Sequence, residues 1–255
     1  MVRYFLNKKD YNEYLISADN NKIVIVWDIT NNYNIKNKIF TDYLRNIYSC
    51  LLVFPPNNED YIITSSFSTM AIKLYSLNNG FFIKYYDYTF YKSLFYLLSW
   101  YNKKNKNNYI ICFSINNIII QNLFEDEIYS KIINLSPGNG YIFNKDNNDY
   151  LCYNDQLSRS FYIYDLNNNS MLKTIKINIK YNSFNFINWN EKYNIIYNKY
   201  NYFLGIIDLN SKRFISYIKK GFMSEIKCIK KIYHPVYGEI IIICKNDKTV
   251  EIWGI

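Results

Sequence analysis

The chain has 255 residues, of which 49% are apolar, so it can bury one sizeable core, and its length alone does not require two domains. Seven glycines and four prolines are too few for a collagen-like repeat or a flexible linker. The net charge of +9 comes from 26 lysines and four arginines. It indicates either an acidic partner or lysine enrichment in an A/T-rich genome, and the shortage of arginine, which specific phosphate recognition favours, points to enrichment.

The first part of the chain predicts short strands joined by polar turns. Val2–Leu6 is a first strand, and a hairpin follows with its turn after Ala18 and its second strand ending at Trp27-Asp28. In the next unit the predicted strands are Ile47–Phe54, Tyr61–Ser66, Ala71–Leu77 and Phe81–Asp87. Strands rich in Ile, Tyr and Phe between Asn-rich turns are typical of β-structure, and Asn78-Asn79-Gly80 suits a hairpin turn with positive φ.

Further along, Ser93–Tyr101 allows a helix but fits better as the first strand of a third unit. The last unit predicts three strands, Glu225–Tyr233, Glu239–Lys245 and Thr249–Trp253, with no residues before Ile255 for a fourth.

A repeat runs through the whole sequence. The third strand of each unit ends near one of the positions 27, 75, 121, 164, 207 and 253, which are separated by 48, 46, 43, 43 and 46 residues. A period of about 40–45 residues with four short strands per unit is the signature of WD repeats, and these spacings sit at or slightly above that range.

The chain resembles the WD40-repeat family, and in particular its degenerate members from protists with A/T-rich genomes. The segments 228–239 and 246–253 carry the resemblance most clearly, together with Trp27-Asp28 in the first unit. The resemblance implies one domain over residues 1–255, an all-β, six-bladed WD40-like β-propeller whose last blade lacks its fourth strand. The implied blades cover approximately 1–41, 46–88, 93–135, 140–178, 183–220 and 224–255.

The units depart from the family because none has the Gly-His pair before its first strand. The family's buried Asp-His-Ser/Thr-Trp network is therefore not expected, and apolar packing must stabilise the blades. The four tryptophans are predicted to lie in the core.

Composition and motifs favour a binding protein and not an enzyme. His234 is the single histidine, no constellation of catalytic residues surrounds it, and no metal or cofactor site is expected. The five cysteines contain no CxxC pair and lie in apolar runs, which favours reduced, buried thiols in a reducing compartment. We therefore expect a cytoplasmic protein that is soluble and not integral to a membrane.

One candidate binding surface is the connection from the fifth to the sixth unit. Lys219 and Lys220 precede Phe222 and Met223 there, in a stretch (212–231) rich in basic residues. In WD-like propellers such connections lie on a face where partners dock. The alternative is an ordinary solvated loop.

The second candidate is the final strand, Thr249, Val250, Glu251, Ile252 and Trp253. If no fourth strand pairs with it, its edge can accept a strand from a partner or from another copy. The alternative is that the chain is part of a longer protein. The function predicted overall is a non-catalytic scaffold of the WD-repeat type, binding proteins or peptides on the propeller face and at this edge. The alternative function is a basic module that binds anionic lipid or nucleic acid.

Overall fold

The structure is a computed structural model, and it describes most of the chain. The described residues are 2–7, 9–19, 21–41, 46–56, 59–66, 71–87, 94–125, 127–133, 135–155, 157–176, 184–189, 192–199, 203–209, 214–218, 226–234, 236 and 238–254. They form strands and the turns between them, and none of them lies in a helix.

Six antiparallel sheets follow one another along the chain. The first sheet contains β1 (Val2–Leu6), β2 (Glu13–Ala18), β3 (Ile23–Asp28) and β4 (Asn34–Phe40). The second contains β5 (Ile47–Val53), β6 (Tyr61–Ser66), β7 (Ala71–Ser76) and β8 (Phe82–Asp87). The third contains β9 (Leu94–Asn102), β10 (Asn107–Ser114), β11 (Asn117–Asn122) and β12 (Ile128–Ile133).

The fourth sheet contains β13 (Pro137–Lys145), β14 (Asn148–Asp155), β15 (Ser160–Asp165) and β16 (Ser170–Lys176). The fifth contains β17 (Phe184–Trp189), β18 (Lys192–Lys199), β19 (Phe203–Asp208) and β20 (Phe214–Ile218). Each of these five sheets pairs its strands in sequence order. The sixth contains β21 (Ile226–His234), β22 (Gly238–Lys245) and β23 (Val250–Gly254), so the described residues give it three strands.

The strand predictions are confirmed to within a residue or two. β1 and β6 match their predicted bounds, and the segment for which a helix was considered forms β9. Gly80 has a φ of +74°, as its predicted hairpin turn requires. Of the tryptophans, Trp100 is buried as predicted, whereas Trp27 and Trp253 are only half-buried. The side chain of Trp189 lies outside the described residues.

The repeat positions found in the sequence are structurally equivalent. Each is the penultimate residue of the third strand of its sheet, from Trp27 in β3 to Trp253 in β23. In all five four-stranded sheets the pairing of the third and fourth strands shifts register immediately before this residue. A register shift of this kind bends and twists a strand locally, so a recurring shift indicates one supersecondary unit repeated along the chain.

In the first three sheets the residue after the repeat position, Asp28, Ser76 or Asn122, stabilises the turn to the fourth strand. Asp28 accepts hydrogen bonds from the Asn31 amide nitrogen at 3.1 Å and from its side chain at 2.7 Å. Asn122 in the third sheet accepts one from the Phe124 nitrogen at 3.0 Å. These contacts are Asx-type turns, which Asn and Asp form readily. The high asparagine content therefore supplies turn residues.

By internal contacts the chain divides into two compact units. The first is Met1–Gly140 with Asn167–Asn169, and it holds the first three sheets. Residues adjacent in a strand face opposite ways, so in β6 Ile62 packs toward the first sheet and Ile63 toward the third. Arg3 links the first strands of the three sheets, because its guanidinium donates to the Leu97 carbonyl at 3.0 Å and to Ser49 Oγ at 3.2 Å.

The second unit is Tyr141–Leu166 with Ser170–Ile255. It repeats the same layering. In β18, Ile195 packs toward the fourth sheet and Ile196 toward the sixth. In β19, Ile207 and Ile206 do the same. Sheets stacked face to face through alternating aliphatic residues thus build both units.

Candidate functional site

Of the two predicted binding surfaces, only one lies within the described residues. Lys219, Lys220, Phe222 and Met223 lie outside the described residues, so the face prediction stays a prediction. The final strand is described, and β23 forms the candidate site.

The strand β23 is an edge strand among the described residues. It pairs antiparallel with β22, in a register that places Val250 opposite Cys244 and Ile252 opposite Ile242. Its other side has no strand partner in the described part of the chain. The backbone groups on that side are those a further strand would use.

The two apolar residues of β23 that precede Trp253 by one and three positions are exposed. Val250 is 56% exposed and Ile252 is 65% exposed. The residues at the same two positions in the other third strands, where their side chains are described, are at most 5% exposed. They are Val24, Val26, Ile72, Leu74, Ile118, Ile120, Phe161, Ile163 and Ile206. The sixth sheet therefore presents to solvent an apolar face that the other five sheets bury.

On the opposite face of β23, Trp253 is packed against the sheet and Glu251 forms polar contacts beside it. Trp253 packs against the aliphatic cluster of Ile226, Ile229, Ile241 and Ile243. Its indole nitrogen donates to Glu251 Oε2 at 3.0 Å, and Lys245 Nζ donates to Glu251 Oε1 at 2.9 Å. The hydrogen bond to Glu251 raises the pKa of Lys245. Both carboxylate oxygens of Glu251 are thus engaged on this covered side.

The turn that leads into β23 is held by local hydrogen bonds. Asp247 Oδ1 accepts from the Thr249 amide nitrogen at 2.9 Å and from Thr249 Oγ1 at 2.5 Å. The backbone of Lys245 closes the hairpin by donating to the Thr249 carbonyl at 3.0 Å. These contacts fix where β23 begins and hold its exposed residues in an extended conformation.

The fourth strands of the other sheets are also edge strands, but lysines interrupt most of them. Such lysines occur in β4, β8, β12 and β16, at Lys36, Lys38, Lys84, Lys131, Lys173 and Lys176. In β4 the Lys38 ammonium lies 5.1 Å from the ring centroid of the exposed Phe40. Lysines on an edge oppose pairing with another chain, and β23 contains none.

A cavity in the first unit was not predicted from the sequence. It has a volume of about 510 Å³ and lies where β1, β5 and β9 end. Lys9 and Lys103 line it together with apolar residues that include Phe54 and Trp100. The sequence shows the basic hairpin Lys-Lys-Asn-Lys at 103–106, but only tertiary packing brings Lys103 into the same cavity as the end of β1.

The described residues contain no cluster of three His, Cys, Asp or Glu side chains that would hold a metal ion. Among them, too, no helix has the length and apolar character needed to cross a membrane. Cys50, Cys112 and Cys152 are buried, as predicted, while Cys244 is half-buried. Burial raises the pKa of Cys50 and of Cys152 to about 12.

The fold has relatives among solved structures. No protein-family model matches the chain, and the search of curated proteins found no match. Among solved structures, the chain is similar to BBS1N from its crystal structure in complex with ARL6DN, with a TM-score of 0.73 and 10% identity. That match covers 99% of this chain and 76% of BBS1N.

The chain is also similar to the computationally designed Ika8 protein, with a TM-score of 0.64 and 12% identity, over 100% of this chain and 70% of Ika8. At these identities the likeness concerns the fold. The chain is an all-β protein of mainly four-stranded antiparallel sheets, with the BBS1 β-propeller as a structural neighbour.

Proposed function

We propose that the chain is a non-catalytic protein-interaction scaffold, a six-bladed WD40-like β-propeller that binds a peptide strand of a protein partner at β23. The observation that carries this proposal is the exposure of Val250 and Ile252 on an edge strand, at positions that the other sheets bury. An added strand would gain backbone hydrogen bonds along β23, and its alternate side chains would pack beside Val250 and Ile252 on the apolar face.

Three further observations support the proposal. The five register shifts and the six equivalent repeat positions favour one blade per repeat. The neighbour BBS1N was crystallised in a complex with another protein, ARL6DN. The free, buried thiols agree with the reducing, cytoplasmic setting expected for such a scaffold.

Hydrogen exchange of the isolated monomer tests the edge itself. We expect the β23 amides that do not bond to β22 to exchange much faster than those of β11, which lies between two partner strands. If the amides of 249–255 are as protected as those of β11, the edge is covered within the chain and the proposal is wrong.

Strand capture tests the binding. A displayed library of random peptides should yield sequences that alternate β-branched or aromatic residues and that slow exchange in β23. The double variant V250K/I252K should lose these peptides, because it places lysines on the exposed face. The matched control is I35K on β4, an exposed residue of another edge strand. Equal loss in this control would contradict a site at β23.

A further inference from the structure

The cavity of the first unit is the second place where the molecule presents an unfilled apolar surface. Its floor and walls come from the ends of three strands, with Phe5 from β1, Leu52 from β5 and Trp100 from β9. Phe54 and Pro56, which follow β5, extend the apolar wall. A volume of about 510 Å³ lies within the range of small-ligand pockets and is large enough for an aromatic or large aliphatic side chain.

Aromatic stacking holds the walls of this cavity in place. The Trp100 ring stacks on Tyr109 with centroids 4.8 Å apart and meets Tyr129 edge-on at 5.8 Å. The Phe54 ring stacks on Tyr14 with centroids 5.8 Å apart. Because these rings are fixed before any ligand arrives, an entering group does not have to order them, which lowers the entropic cost of binding.

Lysines supply the charged part of the cavity lining, and one of them is already paired. Lys9 forms an ion pair with Asp60, and the Asn7 side chain donates to Asp60 Oδ2 at 3.1 Å, so the nearby carboxylate is already neutralised. Lys103 lines the cavity, and Lys106 lies in the same hairpin. Neither forms an ion pair with an acidic side chain of the described residues.

Other carboxylates in the surrounding loops do not offset this charge inside the cavity. Glu59 and Asp10 follow β5 and β1 in sequence, but neither lines the cavity. Among the described residues, those that line it include two lysines and no acidic side chain. An occupant that complements this lining has an apolar body and a negative charge at the mouth.

We propose that this cavity binds an acidic peptide segment, with one aromatic or large aliphatic side chain in the apolar pocket and adjacent carboxylates at Lys103 and Lys106. The inference rests on the proposed role as a protein-interaction scaffold and adds to it a second docking site of defined chemistry. The fixed aromatic walls select the anchor residue, and the lysine hairpin selects the charge beside it.

The test is a selection of random displayed peptides on the whole chain, followed by titration of the selected peptides. We expect acidic sequences with an aromatic, leucine or methionine anchor. The variant K103E/K106E should weaken their binding by about tenfold or more, because two exposed attractions become repulsions. The control K36E/K38E makes the same charge change on β4, which contributes nothing to the cavity.

A second variant tests the cavity without changing charge. Ser99 is an exposed residue of β9 that lines the cavity, so S99Y should fill it and abolish binding while leaving the fold intact. The proposal is overturned if no acidic, anchored peptide is selected, or if S99Y binds the selected peptides normally. It is also overturned if an oligonucleotide binds through the lysines with no effect of S99Y, since that shows a charge-only surface.

The outcome separates this inference from the proposed function. Peptides that are lost in V250K/I252K but retained in S99Y and K103E/K106E leave the edge proposal in place and remove the cavity proposal. Hydrogen exchange in β23 without any peptide tests the edge alone.

Discussion

Two strands of the molecule, β3 and β23, have nearly the same sequence pattern and opposite surroundings. Both follow a turn that contains a lysine, both place apolar residues one and three positions before a tryptophan, and each pairs with the second strand of its sheet in an equivalent register. Val24 and Val26 in β3 are fully buried, whereas Val250 and Ile252 in β23 are exposed. The strand pattern thus specifies which face is apolar, and the presence of a neighbouring sheet decides whether that face is buried.

The neighbour of β3 is visible in the first unit. Val24 and Val26 pack into a cluster with Cys50, Leu52 and Ile62 of the second sheet. Burying such aliphatic side chains stabilises a fold by about 1.5–3 kcal/mol each. The equivalent residues of β23 are mostly exposed and gain little of this energy.

The largest contrast is expected when the same charge is placed at the equivalent positions. V26K puts a lysine where the side chain is fully buried, and an unpaired buried charge should lower the free energy of unfolding by about 3–5 kcal/mol. I252K puts it in solvent and should change stability by less than about 0.5 kcal/mol. Urea denaturation of both variants measures the difference, and a similar loss in I252K would show that the β23 face is covered.

The buried cysteines predict that the folded chain loses stability at alkaline pH. Burial raises the pKa of Cys50 and Cys152 to about 12 from the ordinary value of 9.0. Between pH 9 and 12 the unfolded chain therefore releases thiol protons that the folded chain keeps, so stability falls as pH rises through this range. Below pH 9 both thiols are protonated in both states and cause no dependence.

The measurement is the unfolding midpoint as a function of pH for the chain and for C50A/C152A, in which the alkaline fall should be shallower. Thiol labelling of the native chain, mapped by mass spectrometry, tests the exposure of the apolar face of β23. Cys244, opposite Val250 and half-buried, should react before Cys50 and Cys152. Equal labelling of all three would contradict the difference in burial.

A smaller effect is expected at the residue after the tryptophan, where β3 has Asp28 and β23 has Gly254. D28G removes two hydrogen bonds to Asn31 and should cost about 1–2 kcal/mol, part of it from the added backbone freedom. D28N keeps an acceptor of the kind that Asn122 provides in the third sheet, so it should cost less than about 0.5 kcal/mol. Thermal unfolding of both variants compares them, and equal losses would show that the turn contacts contribute nothing.

Much of the fold could be predicted because its signals are local. Alternating side chains and Asn-rich turns specify strands such as β1 and β6, and the repeat positions follow from spacing alone. The burial of Val24 and the exposure of Val250 could not be predicted, since both lie in the same pattern. The predicted core position of Trp27 and Trp253 is wrong in part, because each side chain is only half-buried on its sheet.

The two candidate sites also differ in how far the sequence predicts them. The edge strand could be identified from the order of predicted strands, because pairing follows that order in every sheet. The cavity could not, because Lys9, Phe54 and Trp100 follow one another at separations of 45 and 46 residues in sequence and meet only through sheet packing. A cavity of this kind has no periodic signature in a sequence.

The smallest effect is expected at Glu251, on the covered side of β23. Its contacts with Lys245 and the Trp253 indole are partly buried, but glutamine keeps an oxygen that can accept a hydrogen bond, so E251Q should lower the free energy of unfolding by less than about 1 kcal/mol in urea denaturation. Strand binding should also persist in E251Q, because the apolar side chains of the added strand pack beside Val250 and Ile252 on the other face. If E251Q lost peptide binding as completely as V250K/I252K, the partner would contact the Lys245–Glu251 side, and the exposed apolar face would not be the surface that β23 uses.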